Sequence, residues 1–163
     1  MNTLLLQKMI SYDQGDAKRI QHFLKVYEFA SLLAQMEKLP KQTQHILETA
    51  AILHDIGIHL SEKKYNSSAG KYQEIEGPAP AREMLTSLHY DETVINRVCY
   101  LIAHHHTYVN VDGIDYQLLI EADFLVNAYE DSLSEKSIRA ARERIFKTKS
   151  GINLLETVYG LIE

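Results

Sequence analysis

The sequence predicts an all-α fold in a single domain, and three observations predict it. Apolar residues recur at spacings of three and four through most of the chain, the period of helices that bury one face. No segment alternates at period two as a half-buried strand would. Only three prolines and seven glycines interrupt the 163 residues, and there is no low-complexity linker. That length suffices for one good hydrophobic core.

The elements follow in order. The opening MNTLLLQKMISY lacks a basic leader and a small-residue cleavage site, so it reads as a packing helix and not as a signal peptide. Asp16 is an N-cap for a helix over 17–37, in which His22, Val26, Phe29 and Leu33 share one face. Pro40 opens the next helix, whose Leu47, Ala50, Ala51 and His54 form a single face, and Gly57 marks its end. Residues 58–77 are polar and non-periodic and read as a long functional loop. Pro78 and Pro80 lead into a helix to about Leu88. Asp91 caps a helix over 92–106, residues 107–113 turn at Asp112-Gly113, and a helix over about 114–130 carries Asp123. Ser134 and Ser150 cap two closing helices, the first strongly charged on one face. The core of the domain is expected over about 17–130, with the closing helices over 131–163.

The net charge of −5 argues against a general binder of nucleic acid or anionic membrane. No run of 18 apolar residues occurs, so no membrane span is expected. The one cysteine, Cys99, lies in the apolar stretch Val98-Cys99-Tyr100-Leu101-Ile102 and reads as a buried, inert thiol. A chain without disulfides fits a reducing cytoplasm.

Seven His and Asp positions stand where apolar residues belong. His22 and His54 lie on apolar helix faces, and Asp55 follows His54. Asp123 sits within LLIEADFLVN, and His104, His105 and His106 are consecutive after Ile102. An unpaired buried carboxylate costs several kcal/mol, and a divalent cation removes that cost. Imidazole with carboxylate suits Fe, Mn, Zn or Co at sites that keep positions open for water. Each residue taken singly also has a bland reading: a hydrogen-bonded core histidine, a capping aspartate, or a histidine-rich helix end. Spacing alone does not show that these helices converge.

The order of the residues adds to this. Arg19-Ile-Gln-His22 precedes Ala51-Ile-Leu-His54-Asp55-Ile-Gly57, followed by Ile102-Ala-His104-His105-His106 and then Glu121-Ala-Asp123. Over about 105 of the 163 residues this pattern resembles the HD superfamily of metal-dependent phosphohydrolases. The resemblance implies a helical bundle with His22, His54, Asp55 and Asp123 as metal ligands. In two-metal relatives Asp55 would bridge, and one or two histidines of 104–106 would complete a second site. His105 is favoured, then His104, with His106 third. Asp55 and His105 are the implied catalytic groups.

Two departures from the family pattern stand out. The lysine that often follows HDIG is Ile58 here, with His59 next. Lys63, Lys64 and Lys71 on the expected loop can supply phosphate-binding charge, as can Arg19, which pairs equally well with Asp16 or Glu28. Where two-metal relatives carry a histidine four residues before a glycine, this chain has Gln73 before Gly77, with Glu74 or Glu76 as stand-ins. One tight metal and a weaker second are therefore expected, the metal being Fe, Mn, Co, Zn or Mg. Tyr108 and Tyr116 either stack on a base or pack, with packing favoured, and His45 and His89 read as structural.

The expected activity is metal-dependent hydrolysis of a nucleotide or another small phosphate ester or anhydride. The expected partner is that small molecule, not long nucleic acid; a homo-oligomer is left open. The alternatives are a regulatory module that holds a nucleotide without turnover, motivated by the missing lysine, and a di-iron oxygenase.

Overall fold

The computed structural model describes residues 2–161. The described residues are mostly helical, and no strand occurs among them. The helices are α1 (Thr3–Tyr12), α2 (Ala17–Met36), α3 (Lys41–Leu53), α4 (Ile58–Tyr65) and α5 (Gly70–Glu76). They continue with α6 (Pro78–Ser87), α7 (Glu92–Ile102), α8 (Ile114–Glu130), α9 (Glu135–Arg144) and α10 (Lys149–Tyr159).

Helix α8 is the centre of the bundle. It buries eleven of its seventeen residues, from Asp115 to Ala128, and a helix apolar nearly all round is stable only when covered on most sides. Helix α2 packs against α3 and α8, α3 also packs against α7 and α8, and α6 packs on α7. Leu5 and Met9 of α1 are fully covered, as the amphipathic opening segment predicts. Three caps stand as expected: the Asp16 side chain accepts from Arg19 N–H, Asp91 from Thr93 N–H and Ser134 from Ser137 N–H. No helix among the described residues is long and apolar enough to cross a membrane.

Four local expectations are corrected. Residues 58–77 are not a loop; they form α4 and α5, joined by 66–69. These helices have eight and seven residues, too few for an apolar period to show. Helix α7 stops at Ile102 and residues 103–106 turn away from it. The last helix is capped by Thr148, whose hydroxyl accepts from Gly151 N–H, while Ser150 N–H donates to Glu37 Oε1. Gly57 does not end α3 through a left-handed residue, since its φ is −79° and it caps α4. Its role is close approach: a Cβ there would lie 2.7 Å from Gly77 N and 2.9 Å from Gln73 O. The backbone after His54-Asp55 is thereby pressed against the end of α5.

Candidate metal centre

Four segments deliver polar side chains to one point inside the bundle. His22 comes from α2, His54 and Asp55 from the turn that ends α3, and Asp123 from the middle of α8. The turn after α7 supplies His105 and His106. His22 Nε2 lies 3.1 Å from His54 Nε2, 3.2 Å from Asp123 Oδ1 and 3.3 Å from Asp55 Oδ2. His54 Nε2 lies 3.4 Å from both Asp55 Oδ2 and Asp123 Oδ1. Donors held at about 2.0–2.1 Å around a tetrahedral ion lie roughly 3.3–3.4 Å from one another. The two imidazoles and two carboxylates therefore already have the spacing that a divalent cation needs.

The backbone fixes which ring nitrogens face inward. His54 Nδ1–H donates to Ala51 O at 2.7 Å and His105 Nδ1–H donates to Ile102 O at 2.8 Å. A carbonyl only accepts, so each ring keeps a proton on Nδ1, and Nε2 is the nitrogen turned to the centre. His105 Nε2 lies 3.4 Å from Asp55 Oδ1 and is the one buried side-chain polar atom without a hydrogen-bond partner among the described residues. A buried polar atom without a partner is costly and calls for a ligand. Asp55, His105 and His106 form a second group with metal-ligand spacing, beside that of His22, His54 and Asp123. The residues fit a divalent cation in the first group, and Asp55 stands between the two.

Charge is balanced tightly here. Burial opposes the positive form of His54, but the carboxylates of Asp55 and Asp123 overcome it and hold the ring well above its ordinary pKa. His22 is raised in the same way: burial works against its charge, and the carboxylates of Asp123 and Asp55 together outweigh it. Burial pushes Asp55 and Asp123 up, yet the surrounding histidines bring both well below the usual carboxylate range. Positive charge on these imidazoles is thus favoured at the place a cation would take. His106 differs. Burial, then the adjacent His105 ring, bring it down to about 4, so it is neutral near pH 7.

The centre opens into a cavity of about 460 Å³ lined by His22, Asp55, Asp123 and His106, and also by Lys18, Arg19 and Asn127. The model of the HD domain matches residues 19–142. The chain belongs to the HD domain family. That match spans more than half of the chain and includes every residue of both donor groups. No significant match was found among curated proteins or among solved structures.

Within this HD domain the expected site residues separate into two sets. His22, His54, Asp55, Asp123 and His105 converge, whereas His104 does not. Its Nδ1–H donates to Tyr100 O at 2.7 Å and its ring stacks on Tyr100 with centroids 4.2 Å apart. His106 takes the place expected of His104, because α7 ends at Ile102 and helical register does not extend into the turn. The His106 ring packs directly on Gly70, where a Cβ would lie 2.7 Å from its Cγ.

The lysines expected on a loop sit elsewhere. Lys63 is exposed on α4, and Lys71 lies over the Tyr72 ring at 4.7 Å; neither lines the cavity of the HD domain. Lys64 pairs with Glu76 at 2.8 Å. Arg19 does line the cavity, but its guanidinium is engaged by Asp16 at 2.7 Å and by Glu62. Glu74 accepts from His106 N–H and the Thr107 hydroxyl, and Gln73 Oε1 faces His106 Nε2 at 3.0 Å. Tyr116 packs, its hydroxyl donating to His104 O and Thr107 O to pin the turn.

Sequence reasoning missed Lys18, Asn127 and Glu130. Asn127 Nδ2 donates to Asp123 Oδ1 at 3.0 Å, and Glu130 Oε1 accepts from His22 Nδ1 at 3.1 Å. The signal was present: Asp123, Asn127 and Glu130 stand at i, i+4 and i+7 of α8, on one face.

Proposed function

We propose that this HD domain is a metal-dependent phosphohydrolase acting on a nucleotide or another small phosphate ester or anhydride. The observation that carries the reading is the set of four donor atoms, 3.1–3.4 Å apart in five of their six pairs, three of whose residues line a 460 Å³ cavity. Such a cavity is of the size that small molecules occupy. A divalent cation held by His22, His54, Asp55 and Asp123 would supply a more acidic bound water and polarise a phosphoryl oxygen.

The chain's own residues support this chemistry. Asp55 has the more exposed carboxylate of the pair, 18% against 6% for Asp123, and so it faces a bound substrate. His106, neutral near pH 7 and on the cavity wall, keeps a ring lone pair free to ligate there. His105 is fully covered and acts through Asp55 and not on substrate directly. Lys18 forms no ion pair among the described residues and is exposed on the cavity wall, where it can meet phosphate charge.

The test is phosphate release from a panel of nucleotides and small phosphate esters. The protein is loaded in turn with Mn, Fe, Co, Zn or Mg, with Asp55→Ala beside it. Release by wild type and not by the variant is expected. A metal-replete wild type that releases phosphate from nothing sinks the reading. The second donor group, Asp55 with His105 and His106, favours a two-metal alternative with oxygenase chemistry. Oxygen consumption by iron-loaded protein distinguishes it.

A further inference from the structure

We infer that Glu130 is a positioning residue for the metal centre: it holds the proton of His22 on Nδ1 and so turns Nε2 toward the ion. The inference deepens the metal-dependent reading above and rests on it. His22 alone among the inward histidines of its donor group lacks a backbone acceptor for its outer nitrogen. His54 has Ala51 O, but His22 Nδ1 faces Glu130 Oε1 at 3.1 Å. With that carboxylate as acceptor, the Nδ1 proton is retained and the Nε2 lone pair is left for the centre. A carboxylate behind a ligating histidine also raises its basicity and fixes its ring plane.

Three further observations place Glu130 in this role. Its carboxylate is largely covered, 13% exposed, and lines the cavity beside His22. Lys25 Nζ sits 3.0 Å from the same Oε1, one turn along α2 from His22, and compensates the carboxylate charge. Glu130 is also the last residue of α8, where the helix dipole favours cations and an acidic residue is locally unfavourable. A locally poor choice that, among the described residues, is satisfied only by His22 and Lys25 points to a role at the site.

The experiment is Zn2+ titration against a competing chelator for wild type, Glu130→Ala and Glu130→Gln, with folding checked by circular dichroism. Imidazole 15N resonances of the Zn2+-loaded proteins report which His22 nitrogen bears the proton. Glu130→Ala is expected to weaken Zn2+ binding by roughly 10–100-fold and to loosen the Nδ1–H form of His22. Glu130→Gln keeps an acceptor oxygen and should restore the tautomer with part of the affinity. Folded variants that bind Zn2+ as wild type does, with the His22 tautomer unchanged, overturn the inference while the phosphohydrolase reading stands. Weakened binding in a protein that releases phosphate from no substrate leaves the inference standing and removes that reading. A wild type that takes up no Zn2+ overturns the inference, while phosphate release with Mn, Fe, Co or Mg still decides the phosphohydrolase reading.

Discussion

His105 Nε2 and Asp55 Oδ1 face each other at 3.4 Å, and the histidine nitrogen has no hydrogen-bond partner although it is fully buried. Its other nitrogen is committed to Ile102 O, so rotation of the ring does not relieve it. The pair lies between the two donor groups, on the carboxylate that belongs to both sides of the centre.

The outcome for the consecutive histidines follows from that pairing. His106→Ala should lower metal content and phosphate release. His104→Ala should change both by less than about twofold, since a substitution away from the site costs little. Elemental analysis of the purified variants, read beside turnover, checks this. Equal losses in the two variants would contradict the geometry.

Removing Asp123 leaves His54 with one carboxylate in place of two and His22 with two in place of three. In metal-free protein Asp123→Ala should cost roughly 3 kcal/mol of stability at pH 6, the range for an uncompensated buried charge. The cost should shrink by pH 8, where the rings shed their protons without penalty. Urea denaturation at both pH values measures it. A loss that is independent of pH would mean that the rings are not charged.

The pH profile of the metal-free protein has a definite shape. His22 and His54 are raised above their unfolded values, so their contribution is complete below about pH 6.5 and is lost as pH rises through the folded pKa values. His106, at about 4, and His45, lowered by burial, act oppositely, and stability rises with pH up to about 6.5. The lowered Asp55 and Asp123 add stability above about pH 3.8 that is lost at stronger acid. Thermal stability should therefore peak near pH 6.5. Metal must displace protons from His22 and His54, so the thermal shift that it produces should grow from pH 6 to pH 8. Differential scanning fluorimetry with and without metal tests both statements, and a metal shift that is flat with pH would refute the second.

Lys18→Ala should raise KM with kcat little changed, and added salt should shrink the difference. Lys63→Ala and Lys71→Ala should leave KM within about twofold, as expected for surface positions. Steady-state kinetics at two ionic strengths separates the cases.

Gly57→Ala should destabilise by roughly 1–3 kcal/mol through overpacking. The added Cβ meets backbone atoms of Gln73 and Gly77 at 2.7–2.9 Å, and backbone yields less readily than a side chain. Chemical denaturation measures this, and an unchanged midpoint would show that α5 moves away freely.

Much of this protein was legible in the sequence, because some signals are local. Helical periodicity, and caps such as Asp16, Asp91 and Ser134, depend on neighbours within a turn or two, and they placed α2, α3, α7 and α8. A polar residue on an apolar stripe is also a local signal, and it marked His22, His54 and Asp123. Tertiary structure decided the rest. Whether Glu130 meets His22, or Lys71 meets the cavity, depends on how helices distant in sequence cross. The helices α4 and α5 are too short to show a period and are placed by the contact of Gly57 with Gly77. The exchange of His104 for His106 turns on where α7 stops, and Tyr116 fixes that turn from α8, through hydroxyl bonds to His104 O and Thr107 O.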